Sequence, residues 1–207
     1  MIRVLIAEDQ AMVRAALAAL LALEGDIDVV AEVGRGDEVV EAALAARPDV
    51  ALLDIDMPGQ DGLTSAGELR ERLPECRVLI LTTFGRPGYL RMAMERGVAG
   101  FLLKDAPAGQ LADAIRRAMA GLRTVDPALA VAALSEGSNP LTDREREVLI
   151  ASTEEATVAD IAGRLFLSEG TIRNHLSAAI QKLGAHNRAE AVRIAREKGW
   201  LEPGVVG

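Results

Sequence analysis

From Ile2 to Ala120, short runs of nearly uninterrupted apolar residues alternate with longer stretches whose apolar positions recur at helical spacing. The runs are Ile2 to Ala7, Val29 to Val33, Val50 to Leu53, Val78 to Leu81 and Gly100 to Leu103. The helical stretches are Ala11 to Leu23, Asp37 to Ala46, Leu63 to Arg72, Gly88 to Arg96 and Ala108 to Ala120. Strands this continuously apolar have no face to offer water, so the pattern predicts an α/β fold whose five-stranded parallel sheet is doubly wound, with helices on both faces.

Beyond residue 140 the pattern loses its strands. Thr142-Asp143-Arg144-Glu145 is a capping box that opens a helix, and Thr157 with Asp160 opens a second. Phe166-Leu167-Ser168 closes that helix and caps a third, with Leu167 and Ile172 set as a hydrophobic staple. Three short helices with so tight a joint predict a small all-α helix-turn-helix domain. In the third helix Ile172, Leu176, Ile180 and Leu183 share one stripe, predicted to face inward. A last helix opens at Asn187-Arg188-Ala189-Glu190 and stops at Gly199. Between the halves, Asp126-Pro127 reads as N-cap and first residue of a short helix, Ala128 to Leu134, followed by the linker Ser135 to Pro140. The expected division is therefore 1–121, a linker at 122–140, and 141–207.

Composition adds bounds. Half of the 207 residues are hydrophobic but only 2% are aromatic, so Ala, Val, Leu and Ile must do the packing. Cys76 is alone, which excludes a disulfide framework or thiolate metal cluster. Glu8 and Asp9 interrupt the apolar start as a signal peptide would not allow, and no run approaches the ~18 apolar residues of a membrane span. A cytoplasmic protein without membrane insertion is expected. Residues 141–207 hold nine Lys+Arg against ten Asp+Glu, leaving 14 against 21 for residues 1–140. The acidic front half is compatible with a bound cation. Any nucleic-acid contact in the back half must rest on local geometry, because bulk charge does not favour it.

The candidate chemistry lies at strand ends. Glu8-Asp9 closes the first apolar run, Asp54 the third, Thr82-Thr83 the fourth and Lys104 the fifth. In a parallel sheet such positions gather beside the topological switch point. Three packed carboxylates repel, and a hard divalent cation such as Mg²⁺ relieves this while neutralising an incoming phosphate. Asp54 can then attack phosphorus as a carboxylate nucleophile. Lys104 would pair with one phosphoryl oxygen and Thr82 would donate to another. Glu8, Asp9 and Asp54 are the candidate metal ligands, together with the backbone carbonyl of Asp56. Pro58 shapes the following loop by fixing φ, and Gly62 is expected to do so through a positive φ. One such residue at a strand end is ordinarily a helix cap. Four in the expected order are not. Asp54-Ile55-Asp56 also fits a haloacid-dehalogenase type phosphotransferase, but that pattern wants Thr or Val where this chain has Pro58.

In the third back-half helix, Arg173, Ser177 and Gln181 are spaced four apart and Asn174 is adjacent, a face suited to the major groove. Arg can donate to guanine and Asn can pair with adenine.

These residues carry a resemblance. Glu8-Asp9, Asp54 with Pro58 and Gly62, Thr82 and Lys104 resemble the receiver domain of bacterial two-component response regulators over residues 1 to about 121. Leu141-Thr142, Glu145, Glu147-Val148-Leu149, Ile161-Ala162, Leu165-Phe166-Leu167-Ser168, Thr171-Ile172-Arg173-Asn174-His175 and Lys182-Leu183 resemble the LuxR/NarL-type DNA-binding domain. Together the chain is similar to the NarL/FixJ class. Stretches such as Ile6-Ala7-Glu8-Asp9-Gln10 and Arg86-Pro87-Gly88-Tyr89 are similar to regulators of membrane-lipid desaturation.

The resemblance implies the strand order 2-1-3-4-5, a sensor histidine kinase as phosphodonor, and Phe101 as an aromatic switch coupled to Thr82. It also implies promoter DNA as partner: Arg173, Asn174 and Ser177 in the major groove, with Thr171, His175 and Lys182 on the backbone. Departures are Thr83 where many receivers carry Ala, Pro107 displaced from its usual place after Lys104, Glu154-Glu155-Ala156 in place of a Gly-containing turn, and Ser177 where some relatives have Lys. The chain is not expected to be an enzyme beyond its own phosphorylation and slow dephosphorylation. A receiver serving only as a constitutive docking module is the alternative, against which the complete acidic site argues. Phosphorylation is expected to drive homodimerisation. The first helix carries one charge, Arg14, so that with Leu111 to Met119 it offers a candidate surface, and Ala191, Ile194 and Ala195 offer a second.

Overall fold

A computed structural model describes residues 1–83, 85, 87–127, 129–131, 139–152 and 156–201, with only the backbone considered at Pro87 and Ala108. The chain forms two compact units, an amino-terminal α/β unit and a carboxy-terminal helical one.

In the first unit, β1 (Ile2–Ala7), α1 (Ala11–Leu21), β2 (Ile27–Val33), α2 (Val39–Ala46), β3 (Val50–Asp54), α3 (Gly62–Arg72), β4 (Arg77–Thr82), α4 (Pro87–Glu95), β5 (Gly100–Leu103) and α5 (Ala108–Met119) follow one another. A two-residue β6 (Thr124–Val125) ends the series. The strands are parallel and ordered β2-β1-β3-β4-β5-β6. The expectation of five strands is thus corrected to six. Thr124–Val125 pairs with Gly100 and Phe101, a strand too short to leave a periodic signal and placed by the chain's return from α5.

Strand alternation sends neighbouring residues to opposite faces. Val4, Ile6, Leu52, Leu79 and Leu102 form one cluster with Leu111, Ile115 and Ala118 of α5 and Leu21 of α1. Leu5, Leu53, Ile80 and Phe101, the alternate positions, are also fully buried. Contacts of α2 with β1 and of α3 with β3 and β4 cover that side. All five residues of β3 are buried, as expected for a central strand. Because β1 leads outward to β2 on one side and inward to β3 on the other, the carboxyl ends of β1 and β3 flank the crevice at the switch point.

The loop after β3 is held by close backbone approach. A Cβ on Gly62, the first residue of α3, would lie 1.9 Å from the carbonyl oxygen of Asp54. The positive φ expected at Gly62 is found instead at Gly59, at +81°. Gly62 is required because the strand's own carbonyl occupies the space a side chain would need. Asp61 caps α3 through Thr64 N at 2.9 Å.

After β6, Asp126 Oδ1 accepts from Leu129 N at 3.3 Å, and 127 and 129–131 are helical. The rest of the short helix expected over Ala128 to Leu134, and the linker to Ser138, lie outside the described residues.

The second unit comprises α6 (Asp143–Ala151), α7 (Val158–Leu165), α8 (Glu169–Leu183) and α9 (Arg188–Glu197). Both capping boxes are formed, Thr142 with Glu145 and Thr157 with Asp160. Ser168 caps α8 and Gly184 ends it in the left-handed region. Val148, Leu149, Ile161, Ile172, Leu176, Ala191 and Ala195 share the core. Ala191 and Ala195 are fully buried there, so they cannot serve the second dimer surface expected of them; only Ile194 of that set retains exposure. Of the turn Glu154-Glu155-Ala156, only Ala156 is among the described residues.

Candidate functional site

The carboxyl ends of β1, β3, β4 and β5 bring their polar residues together. Ligand oxygens of Glu8, Asp9 and Asp54 lie within 4.8 Å of one another. Lys104 Nζ stands 2.9 Å from Asp54 Oδ2 and 2.7 Å from Glu8 Oε2. Asp54 Oδ1 accepts from Ile55 N at 2.8 Å. Asp54 is 4% exposed and Glu8 1%, whereas Asp9 is exposed. Three carboxylates facing one ammonium leave two negative charges in excess. Glu8 Oε2 is buried without a hydrogen bond, although ion-paired to Lys104. An oxygen-rich, net-negative pocket with one solvent-facing acid fits a hard divalent cation.

Burial is the main cause that raises the Asp54 carboxyl to about 6, with Lys104 pulling it back and the charges of Glu8 and Asp56 adding to the rise. Burial also acts on Lys104, depressing it, but pairing with Glu8 and Asp54 prevails and the ammonium is held above its usual value. Lys104 is itself fixed at the strand end, where its N–H donates to Thr82 O at 2.9 Å. Thr82 is 1% exposed and pairs with Leu103 across the sheet. Thr83 is exposed, as is Asp56 on the loop after β3. Phe101 is fully buried between Ile80 on β4 and Val125 on β6.

Arg14 was not singled out for this site. Its Nη1 donates to the Glu8 carbonyl at 2.5 Å, anchoring the backbone of the acid pair from α1. Its being the one charge on an otherwise apolar helix was the available signal.

On α8, Arg173, Asn174, Ser177 and Gln181 are exposed, whereas Ile172, Leu176 and Ala179 turn inward. Thr171 and His175 are half-buried, and Thr171 Oγ1 lies 2.8 Å from Ser168 Oγ within the cap. Lys182 is set apart from the others: its Nζ is 2.7 Å from Oε2 of the buried Glu145, whose carboxyl is held low, burial opposing and Lys182 and Thr142 prevailing. Its charge is already engaged inside the unit. Arg173 Nη2 lies 2.6 Å from Glu169 Oε2. Glu169 is thus a fourth-neighbour partner legible from spacing alone but not previously assigned a part.

The receiver model, described as the response regulator receiver domain, matches residues 4–116, and the bacterial regulatory protein luxR family matches residues 139–195. The chain is a LuxR/NarL-type response regulator. It is 47% identical over 201 residues to the uncharacterized transcriptional regulatory protein YvfU of Bacillus subtilis (strain 168), covering 97% of this chain and 100% of that protein. The transcriptional regulatory protein DesR of the same organism is 45% identical over 202 residues, covering 98% and 100%. Among solved structures, the response regulator ChrA of a heme-sensing two-component system is 37% identical, with a TM-score of 0.57 over 95% of this chain and 97% of that one. This response regulator therefore joins a receiver to a DNA-binding transcription-regulating domain and belongs to a family of regulators rather than conventional enzymes. Among its described residues no helix is long and apolar enough to cross a membrane.

Proposed function

We propose that Asp54 accepts a phosphoryl group from a sensor histidine kinase and that this modification controls promoter binding by residues 141–207, the receiver ending near residue 121 and 122–140 serving as linker. The observation that carries the proposal is the Lys104 ammonium held between Asp54 and Glu8 in a pocket where three carboxylates converge. An Asp54 oxygen attacks phosphorus; the bond from phosphorus to the donor's histidine nitrogen breaks, and its electron pair stays on that nitrogen. Lys104 exchanges its contact with the Asp54 carboxylate for a phosphoryl oxygen, and the Thr82 hydroxyl donates to another. Burial makes Asp54 more basic than a surface carboxylate and excludes water from the attacking oxygen. Mg²⁺ held by Glu8, Asp9, Asp54 and the Asp56 carbonyl would neutralise the charge that gathers as phosphate approaches.

Phe101 and Thr82 then couple the modified pocket to α4, and the receiver shifts to a dimer-competent state. The outer face of α1 supports such a dimer, since Met12 is 86% and Leu20 41% exposed. On α5, Leu111 and Ile115 are occupied by the sheet, leaving Met119 to contribute. A twofold would present two copies of α8 to half-sites ~34 Å apart. Arg173, Asn174 and Ser177 read bases, Thr171 and His175 lie toward the backbone, and Lys182 contributes only by leaving Glu145. The regulator acts in the cytoplasm, where promoter and kinase meet.

Incubation with labelled acetyl phosphate and Mg²⁺ tests the acceptor, with label expected on wild type and none on Asp54→Asn. Label retained by the Asn variant overturns the assignment. Sedimentation with and without a phosphoryl mimic tests the dimer, and an unchanged mass at micromolar concentration rejects it. Equal DNA affinity before and after phosphorylation would favour a constitutive docking receiver.

A further inference from the structure

At the opposite edge of the receiver sheet from Asp54, a cleft of about 460 Å³ is lined by Arg70, Arg77, Arg96 and Arg123 and, among the described residues, by no acidic side chain. The four arginines come from the end of α3, the start of β4, the α4–β5 loop and the segment after α5. Chain topology alone brings them together. We propose that this cleft binds a small polyanion bearing two or more linked phosphoryl groups.

Four guanidinium groups around one concavity repel each other. Some of that charge has a structural explanation, because α3, α4 and α5 all end at this edge and cations complement helix carboxyl ends. The magnitudes do not balance: three helix ends carry about half a negative charge each, against the three full positive charges of Arg70, Arg77 and Arg123 alone. For these three, no acid among the described residues meets the surplus. Among the described residues Arg70, Arg77 and Arg123 form no ion pair, and Glu75, the acid next in sequence to the cleft, is engaged by Arg47 at 3.2 Å. Arg70 instead lies against Gly97, where a Cβ would come within 2.9 Å of its Nη1, and its one polar contact is a long 3.5 Å reach to the Glu95 carbonyl. Positive φ at Gly97, +75°, opens the loop for it.

The ligand class follows from the lining. A volume of this size suits a small molecule, and its concavity does not suit a duplex. Guanidinium forks match phosphate oxygens in pairs, so linked phosphates engage more of them than one phosphate can. Among the described residues no aromatic side chain lines the cleft to stack a base, so recognition falls on the phosphate chain. The carboxylates at the other edge of the sheet favour no such anion, and screening confines their influence to about 10 Å.

Isothermal titration of the full chain with inorganic pyrophosphate and with monophosphate, at about 0.1 M ionic strength with a chelator present, tests the assignment. Pyrophosphate is expected to bind about tenfold more tightly than monophosphate, one added charge-assisted contact being worth that factor. The double variant Arg77→Gln, Arg123→Gln is expected to lose about a hundredfold in pyrophosphate affinity, while still accepting label from acetyl phosphate as proof that the receiver is folded. Equal pyrophosphate binding by wild type and double variant, or no heat from wild type, overturns the proposal. Loss of duplex-DNA binding in the double variant without any pyrophosphate binding by wild type also overturns it and reassigns the arginines to nucleic acid.

Discussion

Asp54→Asn is expected to stabilise the receiver while ending its chemistry, and the size of the effect follows from burial. The Asp54 carboxyl titrates at about 6 against an ordinary 3.8. A native group that holds its proton more tightly than the unfolded one adds stability below the unfolded value and loses it as pH rises through the native value. Keeping Asp54 ionised above that window therefore costs the fold about 3 kcal/mol, at about 1.36 kcal/mol for each pH unit of difference. Asparagine keeps an acceptor oxygen for Lys104 and removes the titration. Without divalent cation the variant should exceed wild type by about 3 kcal/mol at pH 7.5 and by about 1 kcal/mol at pH 4.5. Urea unfolding followed by far-UV circular dichroism at the two pH values measures this, with a chelator present. The one tryptophan, Trp200, lies in the helical unit, so its fluorescence follows that unit as an internal control. A variant less stable than wild type at both pH values, or a difference that does not shrink on acidification, would refute the burial argument.

Three further outcomes are expected. Lys104→Met strands two buried carboxylates and should cost about 3–5 kcal/mol, part of which Mg²⁺ should restore; an unfolding midpoint indifferent to Mg²⁺ would contradict the proposed ligand set. Gly62→Ala forces a methyl against the Asp54 carbonyl oxygen, so it should destabilise by about 1–3 kcal/mol and slow labelling by acetyl phosphate, and wild-type labelling would show that the loop tolerates the shift. Glu169→Gln releases Arg173, so promoter affinity measured by fluorescence anisotropy should rise severalfold, whereas Arg173→Ala should lower it by about 1–3 kcal/mol without affecting phosphorylation; unchanged binding in both variants would remove Arg173 from the interface.

Much of the site was legible because its members end strands. An acid pair after Ala7, an acid after Leu53, a hydroxyl after Leu81 and a lysine after Leu103 are positioned by strand length alone, and a parallel sheet has only one edge where such ends can gather. The caps of the helical unit were legible for a similar reason, since Thr142 and Glu145, or Thr157 and Asp160, satisfy each other within one turn. The pairing of Lys182 with Glu145 was not legible, because the two are 37 positions apart. Ala191 and Ala195 were likewise offered to a twin although the unit's own core takes them.

The amino-acid sequence by itself determined the two-part architecture, the order of elements and the identity of the strand-end groups, because periodicity, capping and turn chemistry act over a few residues. Tertiary structure alone decided the elevated titration of Asp54, the double pairing of Lys104, the sixth strand, the steric need for Gly62 and the gathering of Arg70, Arg77, Arg96 and Arg123 in one cleft. Each of these depends on distances between segments far apart in the chain, and on the low polarity that their packing creates, neither of which a local pattern encodes.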